Sequence, residues 1–118
     1  MKTDTITFTT KKSLPEIANI LRRASSDFKA QLSKLNDDPL GSLGGQEPEI
    51  AEGMTGSNFL GFGARGWGIE IYVTDLGTKR SVELIALGDG LMRKMSGGEF
   101  FDLGLGKKHR DKLANMLA

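Results

Sequence analysis

Ile69-Glu70-Ile71-Tyr72-Val73-Thr74-Asp75-Leu76-Gly77-Thr78-Lys79-Arg80-Ser81-Val82-Glu83-Leu84-Ile85-Ala86 is the stretch on which the fold turns. Ile69, Ile71 and Val73 fall on alternate positions, and so do Val82, Leu84 and Ala86. Between the two runs lies Leu76-Gly77-Thr78-Lys79, and a two-residue connection with glycine first is the signature of a type II′ hairpin. Centring the turn on Gly77-Thr78 sets Val73 against Val82, Ile71 against Leu84 and Ile69 against Ala86, with Asp75 opposite Arg80 as a cross-strand ion pair. All six apolar residues then share one face. A slip of one residue would oppose Ile71 to Glu83 and Val73 to Ser81, so turn chemistry and hydrophobic pattern select the same register.

Working outwards, Phe59 to Gly63 reads as the preceding strand, turning near Arg65-Gly66, with Phe62 opposite Ile69 and Leu60 opposite Ile71. The face away from the core would then carry Phe59, Gly61 and Gly63 beside Gly68, Glu70 and Tyr72. Residues 36–57 hold Pro39, Pro48 and five glycines without apolar periodicity, which predicts a long Gly/Pro-rich loop, least ordered over 38–55. Before it, Leu14, Ile17, Ala18, Leu21, Ala24, Phe28, Leu32 and Leu35 recur at spacings of three and four. They predict a helix of about six turns. Ser13 and Glu16 form a capping box, Pro15 sits in the first turn, and Asn36-Asp37-Asp38-Pro39 stops the run. Thr5 to Thr9, with Ile6 and Phe8 on one side, reads as a strand.

After the hairpin, Gly88-Asp89-Gly90 is a turn, Leu91 to Met95 a further candidate strand, and Lys107 to Leu117 a short closing helix with Leu113, Met116 and Leu117 on its apolar side. The order β-α-loop-β-β-β-α places the chain in the α+β class. It predicts two layers: an antiparallel sheet of four to five strands with both helices on one face.

The composition agrees with a single domain spanning residues 1–118, at 38% hydrophobic and 26% charged residues. A chain of this length buries enough surface to need no metal or disulfide staple. The absence of cysteine excludes disulfides, thiolate metal sites and cysteine nucleophiles. The N-terminal MKTDTITFTT has no continuous apolar run and no stretch approaches a membrane span, so a cytoplasmic protein without membrane contact is expected. A net charge of +1 supplies no global field for polyanions. From Leu91 onward, however, Arg93, Lys94, Lys107, Lys108, Arg110 and Lys112 outnumber Glu99, Asp102 and Asp111. Glycine, at 16 residues, is about twice its usual share, and nine of these fall between Gly41 and Gly68. Something in the middle of the chain needs bare backbone.

The motifs are less informative than they look. Gly61-Phe62-Gly63-Ala64-Arg65-Gly66 matches the dinucleotide fingerprint, but that site needs a helix to follow, and here a strand follows. Gly104-Leu105-Gly106-Lys107-Lys108 opens a helix without the spacing of a phosphate loop, and its lysines read as a solvated face. His109 is the only histidine, reads as a surface residue, and has no partners for a metal site, so neither metal nor cofactor is expected. No nucleophile elbow occurs, and nothing argues for catalysis.

These observations leave function open and rank three expectations. The first is a small non-enzymatic binding or protein-interaction domain, meeting a protein partner or a second copy through Phe59, Gly61, Gly63, Trp67 and Tyr72, where glycines strip the outer sheet face beside aromatic rings. The alternative is a nucleic-acid-binding domain using Lys107, Lys108 and Arg110 of the basic C-terminal segment. A small-molecule enzyme of unidentified chemistry comes third.

Overall fold

The computed structural model describes residues 3–35, 47–59, 64–88 and 101–118. In chain order the elements are β1 (Thr3–Thr10), α1 (Leu14–Asp27), β2 (Gln31–Lys34), β3 (Ile50–Phe59), β4 (Ala64–Asp75), β5 (Arg80–Leu87) and α2 (Leu103–Leu117). The strands form one antiparallel sheet in the order β1-β5-β4-β3-β2. Both helices pack on the same face, which makes this the expected α+β architecture.

The hairpin has the register dictated by its sequence: Val73 faces Val82, Ile71 faces Leu84, Ile69 faces Ala86, and Asp75 faces Arg80. Gly77 takes φ +97°, as the first central position of the expected turn requires. The Arg80 guanidinium reaches the Asp75 carboxylate at 3.3 Å. Beneath this face Ile17, Leu21 and Ala24 of α1 and Leu113 and Leu117 of α2 close the core, each fully buried. Burial of such a side chain contributes about 1.5–3 kcal/mol.

Helix α1 starts as predicted, with both bonds of the Ser13–Glu16 capping box formed. It ends eight residues earlier than the apolar spacing to Leu35 suggested. The Lys29 N–H donates to the Ser26 carbonyl and the Ala30 N–H to the Ser25 carbonyl, which is a Schellman closure, and the Ser25 hydroxyl donates to the Ala30 carbonyl at 2.7 Å. Lys29 occupies the left-handed position of that closure at φ 54°, where glycine is the usual residue. Leu32 therefore points to the core from β2, opposite Met54, rather than from a helix. Relieving the left-handed strain outweighs the extra unfolded-state freedom of glycine, so Lys29→Gly is expected to stabilise the protein by about 0.5–1 kcal/mol in urea titrations. A loss of stability would show that the lysine side chain, not the backbone, matters there.

The second correction concerns residues 36–57. Residues 36–46 lie outside the described residues, but Ile50–Phe59 is a ten-residue strand between β4 and β2. Strand pairing, on both sides over 52–55, therefore replaces the disorder expected over 50–55, and amide exchange there is expected to be slow. The strand escaped notice because its core-facing positions are Ile50, Glu52, Met54 and Gly56, which is not an apolar alternation. Its pairing also replaces the expected register: Met54, not Phe62, faces Ile69, and Glu52, not Leu60, faces Ile71. Phe59 ends β3 opposite Ala64, whereas Gly61 and Gly63 fall outside the described residues, as does the strand expected near 91–95.

Helix α2 begins at Leu103, earlier than predicted, because Asp102 caps it by accepting the Leu105 N–H at 3.0 Å. Gly104 and Gly106 are thus helical, and Lys107 and Lys108 lie beyond the first turn. A Cβ on Gly106 would stand 3.4 Å from the Gly68 carbonyl oxygen, in ordinary contact with the sheet, so α2 packs here directly on the strands. Among the described residues no helix is long and apolar enough to cross a membrane.

Candidate functional site

The residues singled out from sequence are not brought together. Trp67 belongs to the helix-covered face of β4, with Ile69, Ile71 and Val73, and is fully buried. Its indole covers Gly56, the residue directly opposite on β3, so closely that a Cβ there would stand 2.7 Å from the ring. On its other side the His109 imidazole stacks at 4.0 Å with planes 3° apart, and the Phe28 ring meets both edge-on. The expectation of Trp67 beside an outer patch and open to a partner is therefore corrected: it is a core residue within β4. His109, expected on the surface, is likewise buried, at 8% exposure.

His109 is held by its Nδ1, 2.9 Å from the Leu105 carbonyl one turn earlier in α2. Burial pushes its pKa below the ordinary 6.5, helped by Lys112 and Lys108 and opposed by the Leu105 bond. The folded state thus prefers the neutral ring with its proton on Nδ1. Because the unfolded chain binds that proton more readily, stability is complete above about pH 6.5 and falls as the pH drops through the lowered folded value. Melting temperatures across pH 7.5 to 5 are expected to decline for the wild type. They should stay nearly flat for His109→Phe, which keeps a ring against Trp67 without a titrating group. Equal declines would place the titration elsewhere.

Tyr72 lies on the opposite face of the sheet, but that face is not bare around it. Its hydroxyl donates to Glu70 Oε1 at 2.7 Å, and both residues are buried with Ile85, Leu87 and Phe101. Phe101 bridges to Gly66 at the start of β4, and its ring would lie 3.3 Å from a Cβ on Gly68. The glycine therefore admits a ring of the same chain. Trp67 and Tyr72, buried on opposite faces, form no stacking platform together.

The basic segment also divides. Lys107 and Lys108 are exposed, whereas Arg110 is only 4% exposed and turns back to the start of β1. Its guanidinium bonds the Asp4 carbonyl at 2.8 Å, the Asp4 carboxylate, and Asp111 at 2.9 Å. The hydrogen bond from Arg110 holds the Asp4 carboxyl below the ordinary carboxylate range. Arg110 is thus engaged by Asp4 and Asp111 of its own chain. An open groove of about 400 Å³ lies between α1 and the end of α2, lined by Lys12, Glu16, Asn19, Ile20, Arg23 and Met116. Among the described residues no three His, Cys, Asp or Glu are placed to hold a metal ion.

What the sequence reading missed is the exposed margin of the sheet. Among the described residues β1 is a terminal strand, joined to β5 on one side. Thr3, Thr5, Thr7 and Thr9 are exposed on its outer side, and Ile6 and Phe8 are half-buried on its core side. The alternation of this strand was visible in the sequence, but its place at the margin depends on the order of the other four. Comparison with protein-family models, with curated proteins and with solved structures finds no match to this chain.

Proposed function

We propose that the chain is a non-enzymatic protein-interaction domain that offers the free margin of β1 to an extended segment of a partner. The observation that carries this reading is an eight-residue strand, terminal in the sheet of the described residues, without proline and with a single charge, Asp4, already paired with Arg110. Soluble proteins usually blunt such an edge with lysine, proline or a bulge, because its unpaired N–H and C=O groups template another strand. Catalysis is disfavoured by the way the distinctive polar groups are employed. His109 stacks in the core, Tyr72 binds Glu70, and Arg110 ties α2 to β1, so they do not converge on one cleft.

The reading is tested by selecting random peptides against the protein and mapping the binders by amide chemical shifts. The largest shifts are expected along Thr3–Thr10, with the helices unmoved. Binders that map elsewhere, or none, would overturn it.

A second reading, nucleic-acid binding, is favoured by one observation. The exposed surfaces of α1 and α2 carry Arg22, Arg23, Lys107, Lys108 and Lys112 against Glu16, Asp27 and Asp111. Oligonucleotide binding at 50 mM salt that weakens steeply by 200 mM would support it, since phosphate contacts release counterions. Binding that is absent at low salt would dismiss it.

A further inference from the structure

We infer that the segment received by β1 is β1 of a second copy, the two strands pairing antiparallel about a two-fold axis through Thr7 to join two five-stranded sheets into one. This names the partner of the edge proposed above and rests on that reading. The argument comes from self-complementarity. Residues facing each other across an antiparallel pair must lie on the same side of the sheet, so a two-fold axis can pass through a residue but not between two. An axis through Ile6 would set Asp4 against Phe8 of the second copy, a carboxylate facing an aromatic ring. An axis through Thr7 removes that conflict. It opposes Ile6 to Phe8 of the second copy and Phe8 to its Ile6, and makes a ladder of Thr5 on Thr9, Thr7 on Thr7 and Thr9 on Thr5.

Apolar residues thus meet apolar residues on the core side, and threonines meet threonines on the outer side, both favourable cross-strand pairings. Ile6 and Phe8 already pack on the core yet remain half-buried in the isolated chain, and this arrangement completes their cover. Asp4, the one charge of the strand, is paired with Arg110 and faces Thr10 of the second copy, so no like charges meet. An unrelated peptide would need to match this strand, whereas the strand already matches itself.

One strand pair with four flanking apolar side chains is a small interface, which places association in the range of tens to hundreds of micromolar. Sedimentation velocity of the whole chain from 5 to 500 µM is expected to show a monomer–dimer equilibrium. Thr5→Lys combined with Thr9→Lys puts like charges opposite twice and should weaken the dimer on the order of tenfold. Thr5→Lys combined with Thr9→Glu puts opposite charges there and should restore or strengthen it. All four threonine-side positions are exposed, so circular dichroism should show each variant folded.

A wild type that stays monomeric at 500 µM overturns the second-copy inference. Peptide binders mapping to β1 would then still uphold the broader reading, with a foreign strand as partner. A dimer insensitive to both double variants also overturns the inference, since the contact then lies elsewhere. If binders also fail to map to β1, the broader reading falls with it.

Discussion

Trp67→Ala is expected to lower the unfolding free energy by about 3–5 kcal/mol, measured by urea denaturation followed by circular dichroism. The indole is fully buried, packed against Gly56 on one side, His109 on the other and Phe28 at its edge. These neighbours belong to β3, α2 and the end of α1, so the cavity left by alanine cannot collapse from one side alone. Trp67→Phe provides the control. It keeps an aromatic ring and removes the indole Nε1, which is buried without a hydrogen-bond partner among the described residues. Its cost should therefore be about half that of alanine or less, because removing a buried unsatisfied donor offsets part of the lost packing. A loss below about 1 kcal/mol for Trp67→Ala would show that the ring is not enclosed in solution.

Gly56→Ala, the smallest substitution available at its position, should cost about 1–3 kcal/mol. The new methyl would stand 2.7–2.8 Å from three atoms of the indole. A ring held between Gly56 and His109 cannot retreat without displacing α2. The two substitutions are predicted to be strongly coupled: in the Trp67→Ala background the methyl enters the cavity, and Gly56→Ala should become nearly neutral or favourable. Additive effects in the double variant would mean that the glycine is needed for backbone reasons instead. Near-UV circular dichroism offers a second readout, since the single tryptophan reports the packing that the methyl disturbs.

The same nest shows why the candidate site was harder to read than the fold. The rings of Trp67 and Tyr72 were visible in the sequence, and the hairpin alternation put Tyr72 on the face away from the core. Neither Phe101 over that face nor the run of β4 through Trp67, where a turn was expected, could be read there. Residues 50–59 pair with β4 where 59–63 had been expected, and with that change the outer patch around Gly61 and Gly63 loses its basis among the described residues. The basic C-terminal run was legible as charge, yet charge alone did not show that Arg110 reaches across to Asp4 while Lys107 and Lys108 stay in water.

By itself the sequence determined the features in which short-range chemistry and burial agree. Gly77 admits the left-handed turn, and the alternation on either side then leaves one register that buries six apolar residues together. Ser13 and Glu16 satisfy each other's backbone donors at the start of α1. The abundance of glycine also announced that backbone would be closely approached. Only the tertiary structure decided by what. A glycine makes room without specifying its occupant, and the occupants were set by strand pairing and by a residue far along the chain: Trp67 over Gly56 and Phe101 over Gly68. The end of α1 and the existence of β3 were decided in the same way. Lys29 in a left-handed cap and a strand bearing Gly53, Glu52 and Gly56 are locally unfavourable choices, held by the pairing of β3 to two neighbours and by the core that closes over them. The edge position of β1 among the described residues belongs to this second group, because a strand becomes an edge only through the order in which the others pair.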